Sequence, residues 1–229
     1  MTWIKICGTT NLEDALVAVD AGVDAVGFVF YEKSPRSVDV ESAREIVEKL
    51  PAGVEKVGVF VNEAAERISS IADAVKLTAV QFHGDEYENP AKWIIDQNVF
   101  HGRKIFLCVP ANWVALMWRK KGKAIGSFMS LPDKLGAIVV DSGTREERGG
   151  TGKPFDWGEA QMWVSLMNKL FPVAIAGGLT PGNVGEAIRV LKPWGVDVAS
   201  GVEARPGKKD PAKVRAFVNA VREIDKKAS

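Results

Sequence analysis

The chain has 229 residues, 46% hydrophobic and 26% charged, with a formal net charge of +1 at pH 7. This is ordinary globular usage, enough to bury a core without staples, and it gives no electrostatic reason to expect nucleic acid or a membrane surface as partner. No apolar run approaches the ~20 residues of a membrane span, and the N-terminus, MTWIKICG, runs straight into a strand pattern, so no signal peptide is expected.

Trp3–Cys7 reads as the first strand. Thr10 and Glu13 have capping-box spacing, Leu12, Ala15, Leu16 and Val19 share a helical face, and Gly22 suits the position after the helix. Ala25–Phe30 is a second strand and leads through Tyr31–Ser37 to a helix over Val40–Leu50, closed by Pro51. Lys56–Val61 is the third strand, with Asn62 as cap of a helix bearing Ile68, Ile71 and Val75. Ala79–Phe82 is the fourth, ending at His83-Gly84, with a helix near Pro90–Gln97. Arg103–Val109 is the fifth. Pro110–Leu135 carries no readable pattern beyond Trp113, Trp118 and the basic run Arg119–Lys123, which suits the end of a solvated helix better than an anion patch.

Ala137–Val140 is the sixth strand; a glycine-laden loop with Gly143, Gly149, Gly150 and Gly152 separates it from a helix over Gly158–Lys169. Pro172–Ala176 is the seventh, and Thr180-Pro181 supplies a cap and first helical residue for a helix to Leu191. Val196–Ala199 is the eighth, and Asp210-Pro211 opens a last helix carrying Val214, Phe217, Val218 and Val221. Strands alternating with helices imply parallel βαβ units. Eight units in this length, with no composition shift to mark a boundary, predict one (β/α)8 TIM barrel spanning residues 1–229.

In such a barrel the chemistry lies at the C-terminal ends of the strands. Asp141 ends strand six and Cys7 ends strand one. A lone Asp there can simply begin a turn, and a free cysteine is usually a small buried apolar residue. The two positions are three steps apart around the ring, roughly 14 Å at the backbone, which leaves roughly 8 Å between short inward side chains. That is the width of one sugar ring, so the pair can act on opposite sides of one small ligand. At a thiol pKa near 8.5 only about 3% of Cys7 would be thiolate at pH 7, so a catalytic Cys7 needs help from its surroundings.

Gly177-Gly178 and Ser200-Gly201 follow strands seven and eight, where this fold keeps a phosphate on backbone N–H groups. Arg36, after strand two, is a candidate carboxylate clamp. No Walker loop or dinucleotide fingerprint is present: Pro154 follows Gly152-Lys153, and no GxGxxG follows strand one. Two cysteines without metal-type spacing suit a reducing, cytoplasmic setting, and a Cys7–Cys108 disulfide would have to cross the barrel. His83 and His101 are the only histidines, which argues against a His-rich metal site; no metal is expected.

Six motifs in order resemble the phosphoribosylanthranilate isomerase family of tryptophan biosynthesis: Lys5–Thr10, Ser34-Pro35-Arg36, Gln81–Gly84, Asp141-Ser142 with Gly149–Gly152 and Phe155-Asp156-Trp157, Ala176–Val184, and Asp197–Glu203. The resemblance implies an Amadori rearrangement with Asp141 as general acid, Cys7 as general base and no cofactor. It implies Arg36 on the anthranilate carboxylate and the glycine pairs on the phosphate. Gln81, His83, Gly177, Gly178, Asp197, Ser200 and Gly201 then join Arg36 as substrate-binding residues in a cytoplasmic monomer or homodimer. Two rivals stay open. The histidine-pathway isomerase of the same barrel type would want an Asp ending strand one and a second phosphate site after the middle strands. A non-catalytic phosphosugar-binding barrel would keep the glycine turns and have no need of both Cys7 and Asp141.

Overall fold

Eight short runs with apolar residues on both faces close into a parallel barrel in the order β1 to β8. The computed structural model describes residues 1–85, 100, 102–119, 135–143 and 154–228. The strands are β1 (Trp3–Ile6), β2 (Ala25–Val29), β3 (Glu55–Phe60), β4 (Ala79–Phe82), β5 (Lys104–Pro110), β6 (Leu135–Asp141), β7 (Val173–Ile175) and β8 (Gly195–Val198). β1 closes the ring on β8, from Trp3 beside Gly195 to Ile6 beside Val198. The described helices are α1 (Leu12–Asp20), α2 (Val40–Val47), α3 (Ala65–Val75), α4 (Ala111–Arg119), α5 (Trp157–Met167), α6 (Val184–Leu191) and α7 (Pro211–Ala228). A hairpin of β9 (Glu203–Arg205) and β10 (Lys208–Lys209) sits between β8 and α7. Among the described residues no helix is long and apolar enough to cross a membrane.

Period-two alternation sorts the strand side chains. Ile4, Ile6, Val26, Phe28, Phe60, Val80, Leu107, Ile138 and Val140 point outward into the core shared with the helices. Ala25, Val57, Ala79, Phe106, Ala137, Val139 and Ala174 fill the barrel interior. At its N-terminal end Trp3 stacks on Trp194, with ring centroids 4.8 Å apart, and meets Phe106 edge-on at 5.6 Å. These three rings form a floor. The same inward parity carries Lys5 below Cys7, Gln81 below His83, and Val139 below Asp141.

The eight strands fall where the apolar runs predict them, within a residue or two. The caps move. Helix α1 is capped by Asn11, whose side chain accepts from the Asp14 N–H, and not by Thr10, whose hydroxyl donates to the Gly207 carbonyl at 2.6 Å. Asn62 is not the cap of α3: it takes a left-handed conformation (φ 51°), and its side chain exchanges hydrogen bonds with Asp85, so α3 begins later, after Ala64. The regular part of α6 starts at Val184, because the Asn183 side chain ties the Thr180 N–H to the Gly178 carbonyl and holds the preceding turn out of the helix. The pattern-free stretch after strand five contains helix α4, whose Trp113 and Trp118 pack on the core. The β9–β10 hairpin is likewise absent from the strand pattern, since two short, charged strands carry no apolar periodicity. Arg119 makes an exposed pair with Glu159. The rest of the basic run, the helix near Pro90–Gln97, His101 and the Gly149–Gly152 loop lie outside the described residues.

The floor is at the opposite end from the C-terminal strand ends, where this fold keeps its chemistry, so its packing should affect stability alone. Trp194→Ala, at a half-buried position, should cost about 2 kcal/mol in urea unfolding. The kcat of the folded variant should match the parent in a steady-state assay.

Candidate active site

A cavity of about 640 Å³ opens at the C-terminal ends of the strands. Cys7, Arg36, Gln81, His83 and Asp141 line it, together with Gly177, Gly178, Asp197 and Ser200. Gly201, the remaining residue singled out from the sequence, lies just behind Ser200 and shapes the wall. Cys7 and Asp141 stand at the ends of strands three steps apart in the ring, on opposite sides of the opening.

Beneath Cys7 the barrel holds a charged group that strand periodicity alone would have revealed. Lys5 has no exposed surface. Its ammonium donates to Asp197 Oδ2 at 2.6 Å and to Gln81 Oε1 at 2.9 Å. Burial by itself lowers the Lys5 pKa, but the Asp197 carboxylate and the Cys7 sulfur outweigh it and hold the group above its ordinary range, fully charged. Cys7 is subject to the converse balance. Burial pushes its thiol up and the Asp197 charge adds to that, while the Lys5 and Lys209 ammonium groups pull it down. The net direction is upward. The second oxygen of Asp197, Oδ1, is buried without a hydrogen-bond partner among the described residues.

Across the cavity Asp141 is 8% exposed and accepts from the Gly143 N–H at 2.6 Å. That bond turns the chain sharply at the end of β6 and fixes one carboxylate oxygen. His83, just past β4, and Cys108, on β5, crowd the same carboxylate. Cys7 and Cys108 are both free thiols.

The wall between these residues is built of backbone. Gly177 and Gly178 take left-handed φ values of 81° and 65°. A Cβ on Gly177 would lie 2.1 Å from Ser142 Oγ, and one on Gly201 would lie 1.8 Å from the Leu179 carbonyl oxygen. Both turns therefore require glycine, and the cup they form exposes main chain to the cavity. Asn183 staples its outer edge.

Arg36 does not stand as a bare clamp. Its Nε and Nη2 donate to the two carboxylate oxygens of Glu203 at 2.9 and 2.8 Å, and its stem packs over Gly8. Lys209, fully enclosed, donates to Glu203 Oε1 at 3.0 Å and to the Cys7 carbonyl at 2.6 Å. Glu203 is thus shared by two cations. Burial alone would raise its pKa, but the hydrogen bonds from Arg36 and the charge of Lys209 prevail and hold the carboxyl below its usual range. One edge of the Arg36 guanidinium remains toward the cavity. Lys5, Cys108, Glu203 and Lys209 were not singled out for roles from the sequence. The inward parity of Lys5 two residues before Cys7 was a usable sign, whereas the pairing of Arg36 with Glu203 spans 167 residues and left none.

The fold and this site define a (β/α)8-barrel enzyme in which an acid and a thiol face one small-molecule cavity. The model of the N-(5′-phosphoribosyl)anthranilate isomerase family matches residues 4–220. The chain is 45% identical over 219 residues to the N-(5′-phosphoribosyl)anthranilate isomerase of Pseudomonas aeruginosa, covering 96% of this chain and 94% of that one. Among solved structures, phosphoribosyl anthranilate isomerase from Thermotoga maritima superposes with a TM-score of 0.81 at 39% identity, over 97% of this chain and 100% of that one. A phosphoribosyl anthranilate isomerase solved with reduced 1-(o-carboxyphenylamino)-1-deoxyribulose 5-phosphate gives a TM-score of 0.78 at 37% identity, with the same coverage. The chain belongs to the N-(5′-phosphoribosyl)anthranilate isomerase family.

The ion pairs of Glu203 make a stability prediction with a definite sign. Its depressed native pKa means that its contribution is fully present above the ordinary glutamate value near 4.3 and is lost as pH falls through the native value. Glu203→Gln should flatten that part of the stability–pH profile and cost about 3 kcal/mol at neutral pH, because two cations lose their shared carboxylate. Urea unfolding at a series of pH values reads both effects.

Proposed function

We propose that this chain catalyses the Amadori rearrangement of N-(5-phosphoribosyl)anthranilate to 1-(2-carboxyphenylamino)-1-deoxyribulose 5-phosphate in tryptophan biosynthesis, with Asp141 as general acid and Cys7 as general base. The observation that carries this reading is the placement of the two groups on opposite walls of one 640 Å³ cavity beside a glycine-built cup. Asp141 protonates the furanose ring oxygen, and the ring opens to a Schiff base. Cys7, as thiolate, takes the proton from C2. The resulting enolamine gains a proton at C1 and loses one from the C2 hydroxyl, leaving the ketone. C1 is reduced as C2 is oxidised, so the reaction balances internally and proton transfer is all that the protein must supply.

Lys5 has a role in the same reading. Its buried ammonium lies against the Cys7 sulfur and favours the thiolate, which offsets part of the burial that favours the thiol. The Gly177-Gly178 and Ser200-Gly201 turns take the phosphate on backbone N–H groups. Arg36, oriented by Glu203, offers its remaining edge to the anthranilate carboxylate, while Gln81, His83 and Asp197 face the sugar. A two-phosphate substrate is disfavoured, because the loops after β3 and β4 are joined by Asn62 and Asp85, a carboxylate where a second anion would have to bind. The reading takes residues 1–229 as one barrel domain. All its groups come from one chain, so a monomer and a homodimer serve equally, and two free thiols suit the cytoplasm.

The loss of anthranilate-conjugate fluorescence follows turnover directly and tests these assignments. Asp141→Asn should lower kcat by roughly 10²–10⁴-fold with little change in binding. For the base, kcat/KM should rise with pH along an acidic limb displaced to the alkaline side of an ordinary thiol, matching the raised pKa of Cys7. Lys5→Met should move that limb, and the pH dependence of Cys7 alkylation with it, further upward. In Cys7→Ser most turnover and the limb itself should vanish while substrate affinity stays within a few-fold. Normal turnover by either Asp141→Asn or Cys7→Ser rejects the corresponding role.

The anion cup is tested separately. Inorganic phosphate should compete with substrate, and Gly178→Val, which forces a β-branched residue to φ 65°, should raise KM and weaken the competition together. Kinetics free of phosphate competition at high phosphate concentration would place the anion elsewhere.

A further inference from the structure

Cys108 has no part in the reaction just described, yet it lies within a ligand set. The imidazole of His83, the thiol of Cys108 and the carboxylate of Asp141 bring one ligand atom each to within 4.8 Å of one another. They come from three adjacent strands, with β4 paired to β5 and β5 to β6. Phe82 pairs with Leu107, so the next residues along, His83 and Cys108, are neighbours. Cys108 pairs with Val139, and Asp141 lies two residues on, with the same inward parity. Cys108 and Asp141 are buried, at 4% and 8% exposure, and the strands that carry all three are part of a closed ring.

We propose that His83, Cys108 and Asp141 form a binding site for a thiophilic divalent cation, with Zn²⁺ as the type case, and that its occupancy reversibly inhibits the enzyme. Nitrogen, sulfur and oxygen donors of these three kinds are the ordinary protein ligands of Zn²⁺. Bond lengths of ~2.0–2.3 Å in a tetrahedral site put ligand atoms roughly 3.5 Å apart, so the trio closes on the ion by side-chain movements of about 1 Å. His83 and Asp141 line the cavity and Cys108 lies behind them. An ion can therefore arrive from the cavity and keep its fourth position open toward it. A soft ligand distinguishes this site from one for Mg²⁺ or Ca²⁺, which would want oxygen donors throughout. The binding claim stands on the ligand geometry alone. The inhibitory part rests on Asp141 being the general acid, since a carboxylate bound to a cation cannot deliver a proton to the sugar.

Co²⁺ reports on the site without reference to activity, through a sulfur-to-metal charge-transfer band and the intense visible bands of a tetrahedral ion. The full-length protein should show both, and Zn²⁺ should abolish them by displacement, raise the melting temperature and inhibit turnover in a manner reversed by EDTA. Cys108→Ser should lose the charge-transfer band and the thermal shift, and the Zn²⁺ concentration for half-inhibition should rise by at least about tenfold. Its basal kcat should be retained, which verifies that it folds. His83→Gln should also lose the tetrahedral bands. A band that survives Cys108→Ser, or one that disappears with Cys7→Ser instead, overturns the site. Binding that depends on Cys108 but leaves turnover untouched overturns the inhibitory part alone. Because the band does not require catalysis, it judges the site even if Asp141→Asn turns out to be active.

Discussion

Lys5 carries an ammonium into the closed barrel with no exposed surface, and such a charge is tolerated only where a carboxylate and further acceptors replace its water. Asp197, at 2.6 Å on the neighbouring strand β8, and Gln81, at 2.9 Å from across the ring on β4, supply them. This requirement ties three strands together at one height and sets the layer on which the cavity rests. It also determines the electrostatics above. The thiol of Cys7 is the next group up the strand, and it meets a fixed positive charge and a fixed negative charge at once. The Cys7 thiol is therefore balanced between burial, which favours the thiol form, and Lys5 with Lys209, which favour the thiolate.

A second buried charge cluster performs the same service at the rim. Glu203 draws Arg36 from the loop after β2 and Lys209 from the β9–β10 hairpin onto one carboxylate, and Lys209 in turn holds the Cys7 carbonyl. The guanidinium that faces the cavity is thus oriented by an element far along the chain. Breaking either cluster leaves uncompensated charge in a dry place. The two ends of the barrel differ in kind: aromatic rings close the bottom, while charge and glycine shape the top.

Glycine at the top has two different causes. Gly177 and Gly178 adopt left-handed backbone, and Gly177 also lies against Ser142. Gly201 has an ordinary φ and is required because the Leu179 carbonyl occupies the space of a side chain. Asn183 reinforces the cup by giving up a capping role in α6 and bridging Thr180 and Gly178. Local helix geometry yields there to the needs of the loop.

The strand order, the barrel and the residues at the strand tips were legible in the sequence, because buried parallel strands are short apolar runs and their ends are marked by Cys7, Asp141 and paired glycines. Helix caps at Thr10, Asn62 and Thr180 were misplaced. Thr10 and Asn62 find partners in other loops, which spacing rules do not see, while Asn183 spends its side chain on the turn before α6. The hairpin at Glu203–Lys209 and helix α4 left no periodic trace. The sequence by itself determined which residues end the strands and which face each one takes, since alternation along a strand is a local property. Tertiary structure alone decided that Lys5 is neutralised by Asp197, that Arg36 is held by Glu203, and that His83, Cys108 and Asp141 converge. Those meetings depend on ring closure, which brings together residues that share no sequence spacing.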